Sequence, residues 1–142
     1  MAAWLPLAAR RLSGALQYHN RTTVPEVDGA IPLPCFGEAT AIKLDLGFLA
    51  LALPSSGEFT RVTEFCLDHV RFQGTCELGD VISSPRCPGL RNLRLCNTQG
   101  LVSLAVFSES LLQMFLYCIN GLLQLKVDAS VLKKLTLQNS FV

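Results

Sequence analysis

The chain has 142 residues, half of them hydrophobic and 16% charged, and its 12 basic and 11 acidic side chains leave a formal charge of +1. That length fits one domain with a sizeable core. The charge balance gives no electrostatic case for nucleic acid or an anionic membrane, and no apolar run reaches the roughly 18 residues that a spanning helix needs.

Residues 2–18 predict a helix. Ala, Leu and Arg favour it, and Trp4, Ala8, Leu12, Ala15 and Leu16 recur at 3- and 4-residue steps on one side. Pro6 is tolerated in the first turn, and His19-Asn20 ends the element. The N-terminal helix therefore occupies 1–19. The same stretch has no acidic residue before Glu26 and carries Arg10, Arg11 and Arg21, so residues 1–25 also have the composition of an organelle transit peptide. The expected location is the cytoplasm or nucleus, with an organelle as the alternative if residues 1–25 act as a transit peptide. Residues 20–38 hold Pro25, Gly29, Pro32, Pro34 and Gly37, a density that predicts an irregular linker.

From residue 39 to 142 the pattern repeats itself. Leu90, Leu93 and Leu95 recur as Leu111, Met114 and Leu116, and again as Leu132, Leu135 and Leu137, at a constant step of 21. Gly100, Leu101, Leu104 and Val106 recur at the same step as Gly121, Leu122, Leu125 and Val127. A fixed period of this length is the signature of a solenoid. Val62, Phe65 and Leu67 continue it backwards, with a longer step of 28 between Val62 and Leu90. The extra length falls around Glu77–Ser84, enough for one or two helical turns. Ala41, with Leu44 and Leu46, is read as the first start, which makes about five short coils. The two leucines that end each start are two positions apart, so an extended chain points both to one face. A lone coil cannot bury enough apolar surface to offset the ordering of its backbone, so each needs neighbours above and below. Gly100 and Gly121 fall at the turns between half-coils, where a positive φ costs little. The last coil has no second half, and the array is expected to be incomplete at its C-terminal end.

Cys35, Cys66, Cys76, Cys87, Cys96 and Cys118 form no C-x-x-C pair and no zinc-type grouping with His19 or His69. They are read as free thiols of a reducing compartment, with a disulfide-stapled secreted domain as the alternative. There is no Gly-rich phosphate loop, G-x-S-x-G or H-E-x-x-H. The reading is of a non-catalytic protein without cofactor or metal.

Residues between the inward leucines form an exposed sheet face. The register of the repeat predicts two ladders across it. One is Lys43, Glu64, Asn92, Gln113 and Lys134; the other is Asp45, Cys66, Arg94, Phe115 and Thr136. Arg94 beside Phe115 is the pair expected to matter most, because Arg and large aromatics are favoured at interface centres. The candidate partner-binding residues are Lys43, Asp45, Glu64, Arg94, Gln113, Phe115 and Lys134. The loop at 73–88 is a second candidate surface.

The segments WLPLAARRLSGALQYHN (4–20), LPCFGEATAIKLDLGFLALALP (33–54), FTRVTEFCLDHVRFQGTCELGDVISSPRCPGLRNLRL (59–95) and GLVSLAVFSESLLQMFL (100–116) together resemble the leucine-rich-repeat region of plant F-box proteins, the grass-type group that often carries an FBD domain. The resemblance covers nearly the whole chain and is most specific over 59–95. It implies an α/β leucine-rich-repeat solenoid and a substrate-receptor role in a Skp–cullin–F-box ubiquitin ligase, in which the repeats hold an unknown protein target. No F-box or FBD region is read in these residues, so contact with a Skp adaptor is expected only if an F-box is restored upstream. Without one, the chain reads alternatively as a fragment that cannot join a ligase. One departure concerns the repeat itself. The position three after the third leucine, usually Asn or Cys, holds Thr98, Ile119 and Ser140, while Asn97, Cys118 and Asn139 sit one place earlier.

Overall fold

The computed structural model describes residues 14–19, 31–32, 38–52, 58–72, 78, 82–83 and 86–138. The chain is a parallel β-solenoid of about four turns, with no helix in the described part. Its strands are β1 (Ala15–His19), β2 (Ile31–Pro32), β3 (Ala41–Ala52), β4 (Glu64–Phe72), β5 (Asn92–Gln99), β6 (Ser103–Phe107), β7 (Gln113–Asn120), β8 (Gln124–Asp128) and β9 (Lys134–Gln138). The main sheet runs β1-β3-β4-β5-β7-β9, with β2 also paired to β3; β6 and β8 form a second, two-stranded sheet. Every pairing is parallel.

β4, β5, β6 and β7 alternate at their starts because each is covered on one face. Phe65 and Leu67 of β4, Leu93 and Leu95 of β5, and Met114 and Leu116 of β7 are buried and laterally paired. Leu104 and Val106 of β6 are buried from the opposite side, against half-buried Leu125 and Val127 of β8. The core lies between the two sheets. Val62, Leu90 and Leu111 close it where the chain enters each strand.

The strands of the main sheet bend at one recurring place. His69, Asn97 and Cys118 have φ of 52–53°, and Gly47 has 60°. A left-handed residue there reverses the alternation, so the next inward side chain comes three positions after the last: Val70 after Leu67, Thr98 after Leu95, Ile119 after Leu116. This accounts for the displaced asparagine position. The inward site takes Thr98 and Ile119, and Asn97 and Cys118 occupy the corner itself, where asparagine is among the residues that tolerate αL. Gly100 (φ 83°) and Gly121 (φ 85°) make the following turn, as their recurrence predicts.

A second periodic feature is a column of carbonyls just ahead of the strands. Thr40 O accepts from the N–H groups of Thr63 and Glu64, Thr63 O from Arg91 and Asn92, Arg91 O from Leu112 and Gln113, and Leu112 O from Lys133 and Lys134. Each carbonyl fixes the two N–H groups with which the chain enters the next rung.

Three expectations are corrected. Residues 15–19 are not the end of an N-terminal helix. They form β1, paired Ala15↔Ala41 to His19↔Asp45, because ladder bonds and the burial of Leu16 outweigh the helix propensity of alanine and leucine; residues 1–13 lie outside the described part. The linker at 20–38 contributes β2, paired to Leu51 and Ala52. And the first start is not Ala41. Ala41 pairs with Glu64, not Val62, so the fully buried Ala39 is the counterpart of Val62, and Ile42 and Leu44 are the counterparts of Phe65 and Leu67. The register partners Ala15, Ala41, Glu64, Asn92, Gln113 and Lys134 follow one another at unequal steps up to Asn92 and at the constant step of the repeat from there on.

Between β4 and β5 the described residues are 78, 82–83 and 86–91. Leu78 and Ile82, four apart, are both fully buried, and Ser83 Oγ accepts from Phe107 N at 2.9 Å, which satisfies a donor at the end of β6. Most of 73–85 lies outside the described residues, so the helical turns expected there are not described.

Candidate functional site

The outward face of the main sheet carries three rows across β3, β4, β5, β7 and β9. The first is Ala41, Glu64, Asn92, Gln113 and Lys134; the second is Lys43, Cys66, Arg94, Phe115 and Thr136; the third is Asp45, Asp68, Cys96, Tyr117 and Gln138. From β4 onward the expected ladders are in place. On β3 they are displaced by two positions, so Lys43 lies beside Cys66 instead of Glu64, and Asp45 beside Asp68 instead of Cys66. Lys43 still reaches Glu64 diagonally, with Nζ 3.8 Å from Oε2 and both side chains partly exposed.

Arg94 and Phe115 meet. The guanidinium carbon lies 4.9 Å from the ring centroid, within cation–π range. Tyr117 stacks on Phe115 at 6.3 Å and 22°. Arg94 also hydrogen-bonds Cys96, and that contact is the main reason its guanidinium is pushed above its ordinary range. Gln113 and Lys134 are exposed beside this group. An open groove of about 800 Å³ runs along the face, bordered by Lys43, Glu64, Arg94, Phe115 and Lys134 among others.

Asp45 does not join this surface. Its side chain is only 5% exposed, with Oδ1 3.3 Å from His69 Nδ1 and 3.4 Å from the backbone N–H of Gly47. His69 Nδ1 is also 2.9 Å from Asp68 Oδ1, which accepts from Asn97 Nδ2 at 3.1 Å. The left-handed bend at His69 and the register shift after Asp45 bring these groups together. Ligand atoms of Asp45, Asp68 and His69 all lie within 4.8 Å of one another, close enough to hold an ion. The same spacing describes an imidazole placed between two carboxylates.

Cys66, Cys87, Cys96 and Cys118 are free thiols; Cys35 and Cys76 lie outside the described residues. Burial pushes the Cys66 and Cys96 thiols up, and pushes Cys87 up to about 12. A thiol raised in this way stays protonated near neutrality and makes a poor nucleophile. The face presents a cation, a stacked aromatic pair and amide side chains on a regular sheet.

Tyr117 and the Asp68–His69–Asn97 cluster are not among the candidates that the sequence pattern singles out. Both lie on or beside the third row, which the displacement at β3 hides; the alternation Phe115-x-Tyr117 is the signal available for the tyrosine. Among the described residues no helix is long and apolar enough to cross a membrane. No family model matches the chain, and no curated protein or solved structure matches it either.

Proposed function

We propose that the chain is a non-catalytic protein-interaction module that holds its target on the outward face of the main sheet. The observation that carries this reading is the Arg94–Phe115–Tyr117 group on β5 and β7 of that face. Arginine and aromatic side chains give the most contact energy at interfaces, and strands locked in a ladder present them at little entropic cost. The repeat pattern and the resemblance to plant F-box leucine-rich repeats support a narrower version, the substrate-recognition region of a ubiquitin ligase receptor. In that version adaptor docking belongs to an F-box segment and target binding to the repeats. The resemblance also supports the alternative, a fragment that binds a target without entering a ligase.

Photo-crosslinking tests the reading. A photoreactive residue is placed at Phe115 of the full chain or, as a control, at exposed Ser103 on the second sheet, and each is irradiated in plant extract. Adducts formed at 115 and absent at 103 support it. Equal labelling at both, or none at 115, overturns it. For the ligase version, the chain alone is expected not to retain a purified Skp adaptor; retention would overturn the division of labour.

A further inference from the structure

The outward face is uneven in charge. On β3 and β4 it carries Lys43, Glu64 and Asp68, with Asp45 buried beside them; Lys43 lies near Glu64, and His69 Nδ1 lies near both aspartates. On β5, β7 and β9 its side chains are Asn92, Arg94, Cys96, Gln113, Phe115, Tyr117, Lys134, Thr136 and Gln138. Arg94 and Lys134 are the charged members of that half, both cationic and both exposed. Among the described residues no carboxylate lies within ion-pair distance of either. Asp68 acts on Arg94 electrostatically, and its carboxylate accepts a hydrogen bond from Asn97, with His69 Nδ1 2.9 Å away.

We infer that this half of the face binds an extended acidic peptide. This rests on the interaction-module reading and gives its partner a chemistry. Arg94 is stacked on Phe115 and so held ready to donate from its planar fork to a carboxylate. Half-buried Phe115 takes an apolar side chain next to it. Lys134 takes a second carboxylate on the far side. Two strand spacings and a two-residue offset separate Arg94 from Lys134, roughly 12 Å. An extended chain covers that distance in about four residues. The recognised sequence therefore has two acidic residues about four apart with an aromatic or large aliphatic residue between them. Asn92 and Gln113, on the row beside Arg94 and Phe115, supply amide donors and acceptors for the peptide backbone.

The test uses the full chain and fluorescein-labelled peptides of equal length, read by anisotropy. One carries a phenylalanine between two glutamates four positions apart, and the second replaces both glutamates with lysine. A third spaces the glutamates eight positions apart. The first is expected to bind most tightly, and more weakly as salt rises. Arg94→Glu and Lys134→Glu should each weaken it about ten-fold or more, and Phe115→Ala by a similar factor. Arg94→Lys should recover only part of the loss, because the fork is gone. Ser103→Glu on the opposite sheet should change nothing. Thermal melts check that each variant is folded, and exposed Lys134 keeps the test available if Arg94→Glu does not fold.

Equal or tighter binding of the lysine peptide overturns the proposal. So does an affinity untouched by both charge reversals, or self-association of the chain lost in Phe115→Ala, which would make a second copy the occupant. If the acidic peptides fail while position 115 still crosslinks in extract, the interaction reading stands and the acidic preference falls. If both fail, the reading falls with it.

Discussion

Gly100 and Gly121 have almost the same φ, 83° and 85°, and equivalent places in consecutive turns. Their surroundings differ. A Cβ on Gly100 would lie 2.1 Å from the carbonyl oxygen of Phe72 and 3.1 Å from its carbon, whereas one on Gly121 would meet nothing within 4 Å. Alanine at 121 carries only the left-handed penalty, about 1–2 kcal/mol, offset by about 0.4–1 kcal/mol from the loss of freedom in the unfolded chain. The net expectation is a destabilisation of about 1 kcal/mol. Alanine at 100 adds a clash with backbone at the end of β4, where neighbouring Arg71 is in register with Gln99. Overpacking of that kind costs about 1–3 kcal/mol and occasionally more. Gly100→Ala should therefore be less stable than Gly121→Ala by about 2 kcal/mol. Urea unfolding followed by far-ultraviolet circular dichroism, with equal m-values, measures the difference. A gap below about 0.5 kcal/mol would show that adjacent turns do not approach as closely as described.

Thr98 is fully buried, and among the described residues its Oγ1 has no hydrogen-bond partner; Thr98→Val should raise stability by about 1 kcal/mol, seen as a higher urea midpoint. Cys118 holds φ 53° without glycine's freedom or asparagine's tolerance. Cys118→Asn should gain about 0.5–1 kcal/mol and Cys118→Val should lose at least as much, by the same assay. The Cys87 thiol is pushed from 9.0 to about 12 by burial, so between those values the unfolded chain binds fewer protons than the folded one. Stability should fall as pH rises across that window, at up to about 1.4 kcal/mol per unit. Cys87→Ala starts less stable but should show a shallower fall above pH 9, and equal slopes would contradict the burial of this thiol.

The regular end of the array is legible because its signals are redundant. Leu93, Leu95, Met114 and Leu116 fix an inward face by alternation, Gly100 and Gly121 mark the turn, and the constant step repeats both. The N-terminal rungs are less so, for physical reasons. Ala39 and Ala41 are identical and two apart, and a period of two cannot tell which of them starts the rung. Choosing Ala41 moves the whole of β3 by two positions, which hides the burial of Asp45 and its contact with His69. Residues 15–19 include good helix formers, and only the presence of β3 alongside makes them a strand. The pairing of Arg94 with Phe115 survives because it depends on the constant step alone.

The column of carbonyls at Thr40, Thr63, Arg91 and Leu112 separates rung alignment from turn length. The spans from Ala41 to Glu64, from Glu64 to Asn92 and from Asn92 to Gln113 all differ in length, yet each ends at a carbonyl that takes two N–H groups. Whatever length arrives is re-aligned before the next strand begins. Insertions between rungs are thus local events: a lengthened loop leaves side chains two rungs away on the same rows. A surface built in this way can acquire new loops without losing the alignment of the residues that already face a partner.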